Sequence, residues 1–291
     1  MHNAQPSAQY NMLDHLGENY TNEVIIILKI PYDINRTARM NQTNQAGQAD
    51  KTTQADQTTQ TTQADRATQA DLADQTSRAG RINRHLDENF PGEHFPLLLA
   101  SASPRRKELL HLLGLKFEVI PSQVEENDVP GLPEEKARTW ALLKAEAVAG
   151  RRRSGIIIGA DTIVVLDGKV LGKPRDEQDA REMLGLLSGN THTVITGLAV
   201  IDTRSGRRIL ESVESKVSFR TLSKDEIDDY IVSQEPMDKA GAYGIQGTGA
   251  RFVTQVKGCY TNIVGLPVTC LLESLERILD LPSLTYKDNQ V

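Results

Sequence analysis

Cysteine is scarce in this chain. Cys259 and Cys270 are the only two among 291 residues, and they show neither CxxC nor zinc-ligand spacing. That argues against a disulfide framework and a structural zinc site. With no export signal, the two thiols read as reduced packing residues of a cytoplasmic protein. HExxH and Walker sequences are missing as well. The apolar patch at 24–30 (VIIILKI) is too short to span a bilayer and lacks the basic flank and small-residue cleavage site of a signal peptide. No excess of positive charge exists: the formal net charge is −6, which speaks against a general nucleic-acid binder but leaves room for a compact phosphate pocket. Aromatic residues are absent from 41–80, a stretch almost wholly of Thr, Gln, Ala and Asp with Leu72 as its one large aliphatic side chain. Its loose TTQAD repeat is far shorter than those of solenoid or propeller arrays. Such a composition cannot bury enough apolar surface to offset the entropy of ordering. Residues 1–94 therefore read as a disordered low-complexity extension, 95–281 as one folded domain, and 282–291 as a tail.

The folded part is organised around LLLASASPRRKELL at 97–110. An apolar run long enough for one buried strand ends in Ser101 and Ser103. Ser103 is a natural helix N-cap, and Pro104 suits the first helical position, where its missing N–H costs nothing. A strand that feeds a helix through a hydroxyl-rich turn makes an anion site, because free amides and the positive end of the helix dipole face one point. Arg105 and Arg106 add planar cationic forks suited to phosphate oxygens. A capped surface helix with solvated arginines is the plainer alternative.

Further along, 116–120 alternates as a second strand and runs into the acidic loop VEEND at 124–128, either a solvated turn or a seat for a hard divalent cation. Pro133 opens a helix in which Ala137, Trp140, Ala141, Ala145 and Val148 share one face. Lys144 falls in the middle of that face, so it is snorkelling, paired, or pointed into a cleft. Ile156-Ile157-Ile158 predicts a strand buried on both faces, with Asp161 at its carboxyl end, where open α/β sheets place ligands. Asp167-Gly168 predicts a hairpin turn whose second strand delivers Gly172-Lys173-Pro174; the bland reading of Lys173 is an exposed loop lysine. Asp176 caps a helix with the stripe Ala180, Met183, Leu184 and Leu187. Strands follow at 191–202, carrying a structural His192, and at 208–221. Ser223 and Glu226 form a capping box. The glycine-rich run 238–249 does not open a helix after a strand and is no dinucleotide fingerprint. Within it Gln246 can present donor and acceptor together to a base edge. A strand at 252–256, a loop at 260–266 and a helix from Pro267 to Leu279 complete the chain.

The ordered set SASPRRKELL (101–110), the lysine helix around Lys144, GADT (159–162), GKP (172–174), SGNTHTVITG (188–197), DKAGAYGIQG (238–247) and VGLP (264–267) resembles the Maf family of nucleoside triphosphate pyrophosphatases. The matching pieces span essentially all of 97–281, and nothing in 1–90 matches. The resemblance implies an α/β, Maf/ITPase-like fold: an elongated twisted mixed sheet flanked by helices, with a cleft between two lobes, often in a homodimer. It implies cleavage of a nucleotide between its α- and β-phosphates, dependent on Mg²⁺ or Mn²⁺.

Carried over position by position, Ser101, Ser103, Arg105 and Arg106 would hold the triphosphate. Asp161 would be the proton acceptor that prepares water, Glu126 would help Asp161 bind the metal, and Lys144 and Lys173 would neutralise charge on the phosphates. Arg105, Thr162 and Gln246 match positions linked to substrate choice. The AYGIQG form resembles the branch acting on dTTP and UTP, including base-modified pyrimidine nucleotides. The sister branch acting on 7-methyl-GTP usually places an acidic residue at the position of Gln246. A glutamine amide pairs with a pyrimidine imide edge, whereas a carboxylate suits the donors of guanine. The alternatives are 7-methyl-GTP specificity on the same scaffold and a septum-formation inhibitor acting by partner binding. A nucleic-acid-binding or membrane role is not expected.

Overall fold

The computed structural model describes residues 51–90, with side chains from Ala70 onward, and 95–125, 129–152 and 154–282. The apolar patch at 24–30 and Glu126 of the acidic loop lie outside these residues. In chain order the elements are α1 (Lys51–Asn89), β1 (Leu97–Leu99), α2 (Pro104–Leu112), β2 (Phe117–Val119), α3 (Pro133–Ala149), β3 (Ile156–Leu166) and β4 (Lys169–Leu171). There follow α4 (Glu177–Leu187), β5 (Thr191–Asp202), β6 (Arg208–Phe219), α5 (Lys224–Val232), β7 (Val253–Gly258), α6 (Tyr260–Val264) and α7 (Val268–Ile278). The seven strands make one mixed sheet in the order β2-β1-β3-β5-β6-β7, with β4 paired to β3. This is the α/β architecture with a mixed sheet flanked by helices that the family resemblance implies.

Only the β2-β1-β3 end of the sheet is parallel; β3, β5, β6 and β7 pair antiparallel. That asymmetry places the site. Short β1 stops at Leu99 opposite Ile158, whereas β3 continues to Leu166 beside β5. Asp161 is thus mid-strand rather than at the strand's carboxyl end. The parallel neighbour ends before it, which opens a crevice beside it. Gly159 and Asp161 point to one face of β3, and Asp161 pairs with Gly197 of β5.

Local chemistry holds where it was legible. Ser103 caps α2 by accepting from the Arg106 amide, and Asp176 caps α4 through the Asp179 amide. Ser223 and Glu226 close a full capping box on α5. Asp167 and Gly168 both take positive φ (50° and 77°) in the β3–β4 hairpin, the conformation that a two-residue turn between twisted strands needs. His192 is the structural residue expected. Its Nε2 lies 2.8 Å from the Tyr243 hydroxyl, Phe219 packs edge-on against its ring, and burial pushes its pKa down to about 4. The loop expected at 260–266 instead contains the short helix α6, which Gly265 closes at φ 119° by donating its amide to the Thr261 and Asn262 carbonyls.

The largest correction concerns the N-terminal extension. The composition predicts disorder through residue 94; residues 1–50 and 91–94 lie outside the described residues, but α1 is helical and its last turns pack on the domain. Ala79 and Ile82 are fully buried, and Leu86 and Phe90 pack against the same core. Spacings of three and four residues put Ala79, Ile82 and Leu86 on one helical face, and Phe90 follows just past the helix end. Phe90 stacks on Phe95 with ring centroids 4.0 Å apart. Asn83 donates to the Gly114 carbonyl (2.8 Å) and accepts from the Lys116 amide (3.0 Å), pinning the turn between α2 and β2.

On α7, Glu276 is only 2% exposed and accepts from both Arg78 (3.1 and 2.7 Å) and Arg81 (2.6 Å). A carboxylate so buried needs those partners. Replacing Arg78 and Arg81 together by methionine is therefore expected to destabilise the domain by about 3 kcal/mol, the cost of stranding a buried charge. Urea unfolding of wild type and variant measures it; equal stability would mean that α1 does not clamp the domain in solution.

Candidate active site

Two glycines bring the central pair of charged residues together. Helix α3 lies directly on the sheet over Gly159 and Gly197. A β-carbon on Gly159 would fall 2.2 Å from the Ala141 carbonyl oxygen, and one on Gly197 would fall 2.1 Å from that of Ala137. With no side chain in the way, the next turn of α3 delivers Lys144 onto Asp161. Its Nζ donates to Asp161 Oδ1 at 2.6 Å, with both side chains about nine-tenths buried. The apolar stripe of α3 thus carries a paired lysine at a cleft wall, not a snorkelling one. Asp161 Oδ2 takes no hydrogen bond from the described residues.

Across from this pair, β1 runs into the N-terminus of α2. The Ser103 amide donates to Ser101 Oγ (3.2 Å), which also accepts from Arg106 Nη1 (3.0 Å). Arg106 is buried and spans the site: Nε donates to the Gly265 carbonyl (2.8 Å) and Nη2 to Thr162 Oγ1 (3.1 Å). Its fork therefore braces the cleft wall as well as charging it. Arg105 is half-buried on the same turn, and Lys173 is exposed at the end of β4.

The third wall is the glycine-rich run. Tyr230 donates its hydroxyl proton to Glu235 Oε1 (2.9 Å) and accepts from the Gly244 amide (3.1 Å). The Glu235 carboxylate also accepts from the amides of Thr248 (3.0 Å) and Gly249 (3.2 Å). Gly247, at φ 86°, lets the chain turn against that carboxylate, and half-buried Gln246 is held facing the cleft.

These walls enclose a cleft of about 880 Å³. Nine of the ten residues singled out from sequence line it: Ser101, Ser103, Arg105, Arg106, Lys144, Asp161, Thr162, Lys173 and Gln246. The tenth, Glu126, lies outside the described residues. Sequence reasoning missed Trp140, Tyr243 and Lys239, which also line the cleft, and the Tyr230–Glu235 clamp behind Gln246. No local signal ties residues 230 and 235 to amides at 244–249, because a fold-level contact makes that link. Chemically the cleft offers a helix N-terminus, several cations and the carboxylates of Asp161 and Asp238, of which Asp161 is the buried one beside Lys144, an arrangement suited to a polyanion attacked by water.

A family model described as "Maf-like protein" matches residues 96–278. The chain belongs to the Maf family. Among curated relatives of this Maf chain, a protein of Syntrophomonas wolfei is 52% identical over 180 residues, covering 62% of this chain and 95% of its own length. One of Alkaliphilus metalliredigens is 51% identical over 183 residues, with the same coverage of 62% and 95%. One of Desulforamulus reducens is 49% identical over 181 residues, again covering 62% and 95%. All three are named dTTP/UTP pyrophosphatase.

Proposed function

We propose that this Maf protein hydrolyses dTTP and UTP, and base-modified pyrimidine nucleoside triphosphates, to the monophosphate and pyrophosphate. The observation that carries the reading is the buried Lys144–Asp161 pair facing a cationic helix N-terminus across one cleft. The relatives' names give the substrate class. Ser101, Ser103, Arg105 and the α2 amides hold the triphosphate, and Arg106 adds its charge from the cleft wall. Water attacks the α-phosphorus, the bond from that phosphorus to the α,β-bridging oxygen breaks, and pyrophosphate leaves. Asp161 accepts the proton released by the water, with Oδ2 facing the reaction and Oδ1 held by Lys144. Lys144 and Lys173 stabilise the negative charge that shifts onto the leaving pyrophosphate.

The donor set also suits a divalent cation. Among the described residues no cluster of three or more His, Cys, Asp or Glu forms an all-protein cage. Mg²⁺ is commonly held by one or two carboxylates together with substrate phosphates. Asp161, with Glu126, would hold it here. When bound, such a cation supplies further neutralisation of the phosphate oxygens. Gln246 reads the base, its amide pairing with the imide edge of uracil or thymine. Cys259 and Cys270 are both free thiols, in keeping with a reaction in the cytoplasm.

The test is pyrophosphate release from dTTP, UTP, 5-methyl-UTP, CTP, GTP and 7-methyl-GTP with Mg²⁺ or Mn²⁺. Turnover of the uracil and thymine nucleotides is the expected result. A marked preference for 7-methyl-GTP would move the protein to that substrate, and silence across the panel would favour a protein that acts by binding a partner.

A further inference from the structure

Behind the cleft wall, a chain of hydrogen bonds runs through three strands and ends on Thr162, and every proton in it has a fixed direction. Asn262 of α6 accepts from the Thr196 amide at Oδ1 (3.1 Å). Through Nδ2 it donates to the Val194 carbonyl (3.1 Å) and to Ser215 Oγ (2.9 Å). A backbone N–H on one side and a carbonyl on the other leave that amide a single orientation. The Ser215 hydroxyl in turn donates to the Cys259 carbonyl (2.9 Å). The Thr196 hydroxyl, fully buried, donates to the Asn262 carbonyl (2.9 Å), so its one proton is committed. Thr162 Oγ1 lies 2.9 Å from Thr196 Oγ1 and must therefore be the donor of that pair. It also accepts from Arg106 Nη2, which can only donate. Gly265, whose carbonyl holds Arg106 Nε, takes φ 119° at the end of α6, a conformation that favours glycine, and its own position would bring a β-carbon only into ordinary contact with Thr162 Oγ1 at 3.4 Å.

We propose that Thr196 and Asn262 are positioning residues that fix Thr162 as an acceptor-only hydroxyl at the cleft and hold the Arg106 fork in register with it. The Thr162 proton points inward to Thr196, one lone pair is taken by Arg106, and the other remains for the ligand. Thr162 therefore meets a donor group on the substrate and disfavours an acceptor at the same place. Neither Thr196 nor Asn262 is among the residues that line the cleft, so both act through Thr162 and Arg106. The inference rests on the nucleotide-hydrolysing reading for its kinetic test and on the hydrogen-bond chain alone for its spectroscopic one.

Two substitutions at Thr196 separate proton direction from packing. Thr196→Val keeps the shape and removes both ends of the relay, whereas Thr196→Ser keeps the hydroxyl and loses a methyl group. The expected result is that valine lowers kcat/KM for UTP about tenfold or more, while serine stays within about threefold of wild type. If Thr196 served only as packing, the order would reverse. Valine at wild-type activity, or serine as impaired as valine, overturns the proposal. Wild-type protein supplies a second test that needs no variant to fold and no turnover. By NMR, the hydroxyl protons of Thr162 and Thr196 should exchange slowly enough with water to give their own resonances. A rapidly exchanging Thr162 hydroxyl in the folded protein would overturn the proposal even if the variants were uninformative. Wild-type inactivity on UTP would count against the activity and leave this spectroscopic test standing.

Discussion

Asp161→Asn is expected to lower kcat for pyrophosphate release from UTP by about 10³-fold, with a much smaller change in KM. The substitution is nearly isosteric, and an asparagine can still turn its oxygen toward Lys144 Nζ, 2.6 Å from the native Oδ1. In that orientation the amide nitrogen, a donor with no basicity, faces the cleft in place of the carboxylate oxygen proposed to accept the proton. The group lost is needed as the proton leaves the water, so the penalty falls on kcat rather than on binding. The variant also loses the negative charge beside a buried lysine, and its melting temperature should fall by several degrees without loss of the fold. Steady-state kinetics at 25 °C beside a thermal melt measure both. A variant retaining more than about a tenth of wild-type kcat would remove Asp161 from the role of proton acceptor, since general-base groups usually contribute far more.

The second large effect comes from adding one carbon atom. Gly159→Ala and Gly197→Ala should each destabilise the domain by about 3 kcal/mol and cut kcat/KM by at least about tenfold. The added methyl would stand 2.2 Å or 2.1 Å from backbone carbonyl oxygens of α3, and backbone cannot rotate away as a side chain can. The helix must lift off the sheet, carrying Lys144 away from Asp161. Gly185→Ala on α4 is the matched comparison. Nothing lies within 4 Å of the methyl it would add, and in mid-helix alanine replaces glycine with a gain of about 0.5–1 kcal/mol. The same chemical change is thus expected to take opposite signs at two places. Chemical denaturation of the three variants and their kcat/KM values for UTP test this. Alanine tolerated at both Gly159 and Gly197 would mean that the helix seat does not set the Lys144–Asp161 distance.

Much of the site was legible in the chain because its signals are local. Ser103 and Pro104 announce a helix start, Asp167-Gly168 a hairpin, and the triple isoleucine a buried strand; the structure has each of them. Lys144 shows where local reasoning stops. Its position on an apolar face was evident, but the choice between snorkelling and pairing depended on β3, a separate element that supplies Asp161. The extension marks the opposite failure. Its composition is dominated by polar residues up to 80, and the apolar stripe of Ala79, Ile82, Leu86 and Phe90 begins only where that stretch ends. A helix with so few apolar side chains is unstable alone. It is held because Glu276, nearly two hundred residues away, waits buried for Arg78 and Arg81.

By itself, the sequence picked out nine residues that line the cleft, because caps, turns, strand runs and the ordered Maf segments are properties of neighbours along the chain. Tertiary structure alone decided how those residues meet. The short parallel β1 opens a crevice beside Asp161, Gly159 and Gly197 admit α3 to the sheet, and Asn262 and Thr196 set the proton on Thr162. Each of these depends on two or more segments remote in sequence meeting at atomic contact, and hydrogen-bond direction and close packing exist only once they have met.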